Sequence, residues 1–338
     1  MRQTVVLITG AAGEIGHALI RRIAEQGVEI LTLDLQALPP ELEQLVAQHF
    51  TGSILDEELL DRILARYEVH TVFHLAALLS TRSEFTPITA HQVNVEGTIR
   101  LLRFAQAQGL SHGHTVRFFY PSSIAAYGLP DLAAKAAAGQ VREEDWGRPI
   151  TMYGINKLYC EQLGRYFQWH YKQLDAEPQT RRIDFRGIRF PGLISAETVP
   201  SGGTSDFVPE MIHAAAQGQP YACFVREDAR IPFMTMPDAV DAIFALMEAD
   251  PTRLRKNVYN IAAFNPSAAE VRDIVTHHFP GAEIRFEPDL KRQAIVDSWP
   301  AAVDDSAARE DWGFAPHHDL EAAFRAYLLP RIRQRYSP

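Results

Sequence analysis

The stretch Val5-Val-Leu-Ile-Thr-Gly-Ala-Ala-Gly-Glu-Ile-Gly16 changes its hydrophobic period halfway along. Val5 to Ile8 is an unbroken apolar run, the pattern of a strand buried on both faces; beyond Ile15 the apolar residues Leu19, Ile20 and Ile23 keep helical spacing. A buried strand therefore feeds a helix through Gly10, Gly13 and Gly16, a G-x-x-G-x-x-G turn. Glycine there permits a tight turn and brings the backbone, Glu14 and Ile15 included, close to a pyrophosphate whose charge the helix N-terminus favours. Glycines occur in any strand-to-helix turn, so this pattern needs its context. Asp34 supplies it, ending a second apolar run from Val28, where a carboxylate accepts hydrogen bonds from an adenosine ribose diol and repels a 2′-phosphate. The expected cofactor is NAD, with Ser53 and Ile54 as candidate adenine contacts.

Further strands are predicted over 69–75, 115–120, 183–189 and 258–261, with helices over 59–66, 91–108 and 153–171 between them. This alternation predicts an α/β chain, a Rossmann-like doubly wound parallel sheet with a smaller C-terminal substrate-binding region. The dinucleotide-binding domain is expected over 1–190, with 236–262 returning to it, and the substrate-binding region over 191–235 and 263–338. Pro191-Gly192 opens a turn-rich segment to Gly203, followed by helices over 206–217 and, capped by Ser267, over 268–279.

Composition narrows the classes. A chain of 338 residues with 46% hydrophobic and 22% charged residues is expected to be globular and soluble. Its formal net charge of -9 argues against a broad nucleic-acid or anionic-membrane surface. Cys160 and Cys223, far apart, suggest neither a disulfide framework nor a thiolate metal site, so a reducing cytoplasm is the simplest expectation. No apolar run is long enough to span a bilayer. His112-Gly-His114, His277-His278 and His317-His318 lack a nearby acid or cysteine at ligand spacing, and no metal is expected.

Pro149-Ile-Thr-Met-Tyr-Gly-Ile-Asn-Lys-Leu-Tyr-Cys-Glu161 puts Tyr153 and Lys157 on one helical face. A free tyrosine, with a pKa of about 10, is a poor base at neutral pH. An ammonium one turn away, together with an oxidised nicotinamide, favours the phenolate. Ser122 and Ser123 follow an apolar strand, at the carboxyl edge where open α/β sheets bind ligands, and a hydroxyl there can bond a reacting oxygen.

With Gly10-x-x-Gly-x-x-Gly16, His74-Leu-Ala-Ala77, Ser122-Ser123 and Tyr153-x-x-x-Lys157, the sequence resembles the extended short-chain dehydrogenase/reductase family. The resemblance implies a catalytic set of Ser123, Tyr153 and Lys157, and a dinucleotide path lined by His74, Leu75, Ala76 and Ala77, with Pro191 to Ile194 shaping the nicotinamide pocket. The stretches 76–80, 189–195, 202–206, 231–238 and 297–300 are similar to short-chain-type L-threonine 3-dehydrogenases. That similarity implies oxidation of a β-hydroxy amino acid held by Ser80, Thr204 and Asp206, with Trp299 nearby, and a homodimer formed through helices 91–108 and 153–171. Ser83, Phe207 and Thr235 depart from that pattern, standing for glycine, tyrosine and tyrosine. Thr204 and Asp206 are also placed to cap the next helix, and Trp299 to fill a core. Two other readings remain: a sugar-nucleotide epimerase or dehydratase, whose phosphate-binding arginine Arg230 resembles, and a non-enzymatic dinucleotide sensor, which needs no proton-transfer pair.

Overall fold

A computed structural model describes residues 2–176, 180–200 and 202–336. The buried run that opens the chain is β1 (Gln3–Thr9), followed by α1 (Glu14–Glu25), β2 (Ile30–Asp34), β3 (Gln48–Thr51), α2 (Glu57–Arg66) and β4 (Tyr67–His74). Then come α3 (Gly97–His112), β5 (Val116–Ser123), α4 (Met152–Trp169), β6 (Ile183–Phe190) and, after the substrate-side insertion, β7 (Val258–Asn260). Every pairing in this sheet is parallel, and the strand order is β7-β6-β5-β4-β1-β2-β3. The chain thus winds outward from β1 to β3 and returns to lie on the other side of β1. The crevice where it reverses, between the carboxyl ends of β1 and β4, is where such sheets bind ligands.

Both faces are covered, which is why the strands read as continuous apolar runs. On one side α1 and α6 (Met236–Glu248) bury Leu19, Ile20, Ile243 and Leu246, together with Ala308, Trp312 and Phe314. On the other, α2, α3 and α4 bury Leu60, Leu101, Leu102 and Phe167 against Leu7, Val72 and Phe118. A third cluster, with Phe207, Met211, Ile231, Phe233, Val271 and Trp299, lies among α5 (Phe207–Ala216), α7 (Ala268–His278) and α8 (Leu290–Ser298). Arg186, fully buried on β6, bonds Asp184 and donates to the carbonyls of Leu246, Met247 and Ala249, satisfying the end of α6 that has no further helical partner.

Two elements differ from the sequence expectation. Gln48–Thr51 forms an edge strand although Phe50 is its only large apolar residue, because an edge position buries little and its pairing with β2 supplies the order. The expected turn-rich segment after Pro191 begins as a strand, Gly192–Ile194, paired in parallel with Phe233–Thr235. Ser267 caps α7 as expected, with Glu270 reaching back to complete a capping box. Among the described residues no helix is long and apolar enough to cross a membrane.

Gly10 has φ +69°, and a Cβ there would lie 2.5 Å from the Ala76 nitrogen. The crossing of β1 and β4 therefore tolerates no side chain. Gly10→Ala is expected to cost about 2–4 kcal/mol from left-handed strain and backbone overlap, read as a lower thermal midpoint; an unchanged midpoint would contradict this packing.

Candidate active site

Three backbone segments converge on the reversal point. In the first, Gly13 precedes α1 in an extended conformation and no side chain caps the helix, so its leading N–H groups stay available to an anion. Gly16 is buried in the first turn, while Ile15 packs on the sheet-side cluster. Asp34 ends β2 with one carboxylate oxygen accepting from Ala12 N at 2.9 Å and the other from Gln36 N at 3.0 Å. The acid is thereby oriented by the glycine turn itself, and each oxygen keeps a lone pair for a further donor. The Glu14 carboxylate accepts from the hydroxyls of Ser195 and, at 2.7 Å, Thr198, which ties α1 to the segment beyond Ile194. The side-chain-free cradle at Gly10 and the oriented Asp34 carboxylate fit a dinucleotide.

Around that cradle, Leu75 N donates to Thr9 O at 2.9 Å, extending the β1–β4 contact, and Leu75, Ala76 and Ala77 are half-buried. His74 is buried between the Thr9 and Thr98 hydroxyls, 2.9 Å from each. Burial, with Lys157 adding to it, pushes its pKa down to about 3, so it is a neutral core histidine. Pro191 is buried where β6 leaves the sheet. Ser53 accepts from Leu55 N at 3.1 Å, while Ile54 is 5% exposed and packs in the core beside α3.

The second segment separates the two serines. Both reach α4, at different turns of the helix. Ser122 is buried and donates to Glu161, which holds Arg189 in a two-pronged ion pair, Nε to Oε1 at 2.8 Å and Nη2 to Oε2 at 2.6 Å. Ser123 accepts from Ala125 N at 3.1 Å, and its hydroxyl lies close enough to the Tyr153 phenol to favour the phenolate. The third segment is the start of α4, capped by the Thr151 hydroxyl. A Cβ on Gly154 would meet Ala125 O at 2.0 Å, so this glycine lets α4 press directly on the turn after Ser123.

Lys157 is buried, donates to Pro121 O at 2.6 Å, and its Nζ lies 4.8 Å from the Tyr120 ring centre and 5.4 Å from that of Tyr153. Burial lowers the ammonium pKa to about 8, against the pull of Cys160 and Glu161. Burial raises the Tyr153 phenol to about 12, and the Ser123 hydroxyl acts the other way. The arrangement is a phenol, a hydroxyl and an ammonium next to a cradle suited to a dinucleotide, a set that can accept and stabilise a proton-transfer charge.

Two supporting groups went unrecognised in the sequence. Glu161 extends the Tyr153–Lys157 face by one more turn, a spacing that the sequence does contain, but its partner Arg189 is on another element. Asn94 sits in a π turn, Gln92–Glu96, and grips the Leu78 backbone through both its amide groups, at 2.8 and 3.0 Å. Its backbone carbonyl accepts from the Thr98 hydroxyl at 2.6 Å and from the Cys160 thiol at 3.2 Å.

On the substrate side, Ser80 begins a short helix whose Thr81 donates to Gly202 O at 3.0 Å. Ser80 and the Gly202–Asp206 turn are thus brought together. Thr204 is buried, and Asp206 accepts from Gly203 N at 2.6 Å; neither side chain caps α5. Trp299 is 4% exposed in the third core cluster, against which Tyr153 also packs. Thr235 caps α6, and the buried Ser83 donates to Leu78 O at 3.0 Å. Arg230 is engaged by Glu270 at 3.0 Å and by the Asn265 carbonyl. Among the described residues no group of three His, Cys, Asp or Glu side chains is placed to hold a metal ion.

Residues 6–262 match the model of the NAD dependent epimerase/dehydratase family. The mitochondrial L-threonine 3-dehydrogenase of Bos taurus is 33% identical over 326 residues, 94% of this chain and 80% of that protein. The GalE-like L-threonine dehydrogenase of Cupriavidus necator, in its holo form, is 34% identical with a TM-score of 0.84, over 98% of this chain and 100% of the other. A monomeric L-threonine 3-dehydrogenase from a metagenome database, in its apo form, is 32% identical with a TM-score of 0.84, over 98% and 100% respectively.

Removing Glu161 would leave the Arg189 charge buried without its partner, so Glu161→Ala is expected to destabilise by about 3–5 kcal/mol. In a double-mutant cycle, Glu161→Ala should cost much less in an Arg189→Met background; equal costs in both would mean that the pair is uncoupled. For Lys157 the lowered pKa means that the unfolded chain binds more protons than the folded one between about 8 and 10.5. Its contribution therefore makes stability rise with pH across that window. The stability of wild type relative to Lys157→Met is expected to climb between those pH values, and a flat difference would contradict the buried ammonium.

Proposed function

The chain belongs to the NAD dependent epimerase/dehydratase family and is an NAD-dependent dehydrogenase of the extended short-chain dehydrogenase/reductase type, and on that premise we propose that it oxidises the 3-hydroxyl of L-threonine, or of a close β-hydroxy amino acid, giving 2-amino-3-ketobutyrate from threonine. The observation that carries the reading is the Ser123–Tyr153–Lys157 group beside the Gly10 cradle. The choice of substrate is supported by the similarity to L-threonine dehydrogenases over nearly the whole chain.

In this reading Gly10, Gly13, Glu14, Ile15 and Gly16 line the pyrophosphate, Asp34 takes the ribose diol and selects NAD, and Ser53 and Ile54 border the adenine. Leu75, Ala76, Ala77 and Pro191 border the nicotinamide half. When bound, the nicotinamide supplies the acceptor for the Cβ hydride and a positive charge that favours phenolate. Tyr153 takes the proton of the substrate hydroxyl at its phenolate oxygen. Lys157 offsets the phenolate charge electrostatically, and Ser123 donates to the substrate oxygen and fixes its distance from Tyr153. Ser80, Thr204 and Asp206 hold the amino acid, the Asp206 carboxylate facing its ammonium, with Trp299 closing the far side. The domain division at 190, with 236–262 returning to the dinucleotide side, goes with this assignment.

The rival reading, a sugar-nucleotide epimerase or dehydratase, draws its support from the family as a whole. Arg230, whose guanidinium bonds Glu270 and the Asn265 carbonyl, does not separate the two readings. A homodimer through α3 and α4 is part of the proposal, supported by the exposed Ile155, Tyr159 and Tyr166 on α4.

The test is a panel of L-threonine, other β-hydroxy amino acids and UDP-sugars, each with NAD and NADP at mildly alkaline pH. Net NADH formation with L-threonine is expected, and UDP-sugar conversion without net NADH would overturn the substrate assignment. Tyr153→Phe is expected to lower kcat by about 10²–10⁴-fold with the fold intact; full activity would exclude Tyr153 as the base.

A further inference from the structure

At the opposite end of the sheet from the active site, the amino ends of β5 and β6 and the last turn of α4 enclose a cavity of about 790 Å³. Of the four arginines that line it, three come from three separate elements: Arg117 on β5, Arg165 on α4 and Arg181 just before β6. All three are exposed, and among the described residues none has a carboxylate within ion-pair distance. The one acid in the lining, Asp184, already accepts from Arg186 at 3.0 and 2.6 Å. Other cations of the lining are paired: Arg255 with Asp311 and Glu310, Lys256 with Glu143 and Glu144. In a chain with a formal net charge of -9, this is a local reversal of sign around a concave space.

The cavity also has a positioned aromatic wall. Trp169 is 44% exposed, yet its indole N–H donates to Asn257 Oδ1 at 3.1 Å and the Arg181 guanidinium lies 4.5 Å from its ring centre. An indole held in this way loses little freedom on stacking, and guanidinium groups bind phosphate oxygens in paired hydrogen bonds. The volume is that of a small-molecule site. We propose that this cavity binds a nucleoside di- or triphosphate, its phosphates on Arg117, Arg165 and Arg181 and its base against Trp169. Eight-residue strands separate the cavity from Ser123 by about 20–25 Å at the usual rise per residue, so it is distinct from the dinucleotide cradle. Its residues Arg165 and Trp169 share α4 with Tyr153 and Lys157.

The proposal is tested by titrating ATP into the full chain by calorimetry with NADH saturating the dinucleotide cradle. Expected is saturable one-site binding that weakens at least tenfold in Arg117→Ala/Arg165→Ala, with the thermal midpoint and the turnover rate without ATP unchanged. Trp169→Ala is expected to weaken ATP more than tripolyphosphate, a probe without a base that feels only the release of Arg181 from the ring. No saturable binding at about 1 mM ATP, or an affinity that the double arginine variant does not change, would overturn the site. Equal effects of Trp169→Ala on ATP and on tripolyphosphate would overturn the role given to the base. Binding is read without a substrate, so its failure leaves the threonine reading untouched.

Discussion

The bidentate pair between Glu161 and Arg189 is the contact on which the geometry around Ser123 rests. It bolts α4 to β6 from inside the protein, and Ser122 on β5 donates into it. One carboxylate therefore holds three elements in register. Arg189 continues the chain of contacts, with its guanidinium 4.6 Å from the Tyr127 ring centre and a donor on the Glu143 carbonyl. Tyr127 in turn donates to Asn260 at the end of β7 at 2.7 Å. Burial by itself disfavours the Arg189 guanidinium, and the Glu161 carboxylate holds it in its charged form.

With α4 fixed from below, its first turn has little choice about where it points. Gly154 lets the helix backbone lie against Ala125, and this brings Tyr153 to Ser123. The cost of this closeness is desolvation. It raises the Tyr153 phenol to about 12 and lowers the Lys157 ammonium to about 8, both toward their neutral forms. In the proposed reaction a positive ring charge next to the phenol would reverse that tendency and so couple Tyr153 to occupancy of the cradle. The cradle has its own rigid logic: Gly10 fits against Ala76 only without a side chain, and Asp34 is oriented by an amide of the same turn.

Much of this was legible in the sequence because it depends on neighbours. The change of period after Ile8, the glycines that follow it, the acid ending the second strand and the four-residue spacing of Tyr153 and Lys157 are local signals, and periodicity reports them directly. Less legible was β3, whose Gln48–Thr51 has no apolar run because an edge strand is ordered by pairing rather than by burial. Asp206 and Thr204 read as helix caps from spacing alone, yet Asp206 turns back to Gly203. Whether Asp206 caps or closes a turn depends on the backbone angles of Gly202 and Gly203, and glycine leaves those open.

The sequence by itself determined an α/β chain with a parallel sheet, a glycine turn suited to a dinucleotide, and a tyrosine and lysine on one helical face. Of two adjacent serines the resemblance singles out Ser123, and the tertiary structure supplies the physical reason. Both serines contact α4, but Ser122 is engaged by Glu161, which Arg189, far along the chain, holds in place, and Ser123 is the one left beside Tyr153. Only the tertiary structure decided that Arg230 is bound to Glu270, and that Arg117, Arg165 and Arg181 surround one cavity. Each of these is a relation between side chains on different elements, brought together by sheet register and helix packing rather than by spacing along the chain.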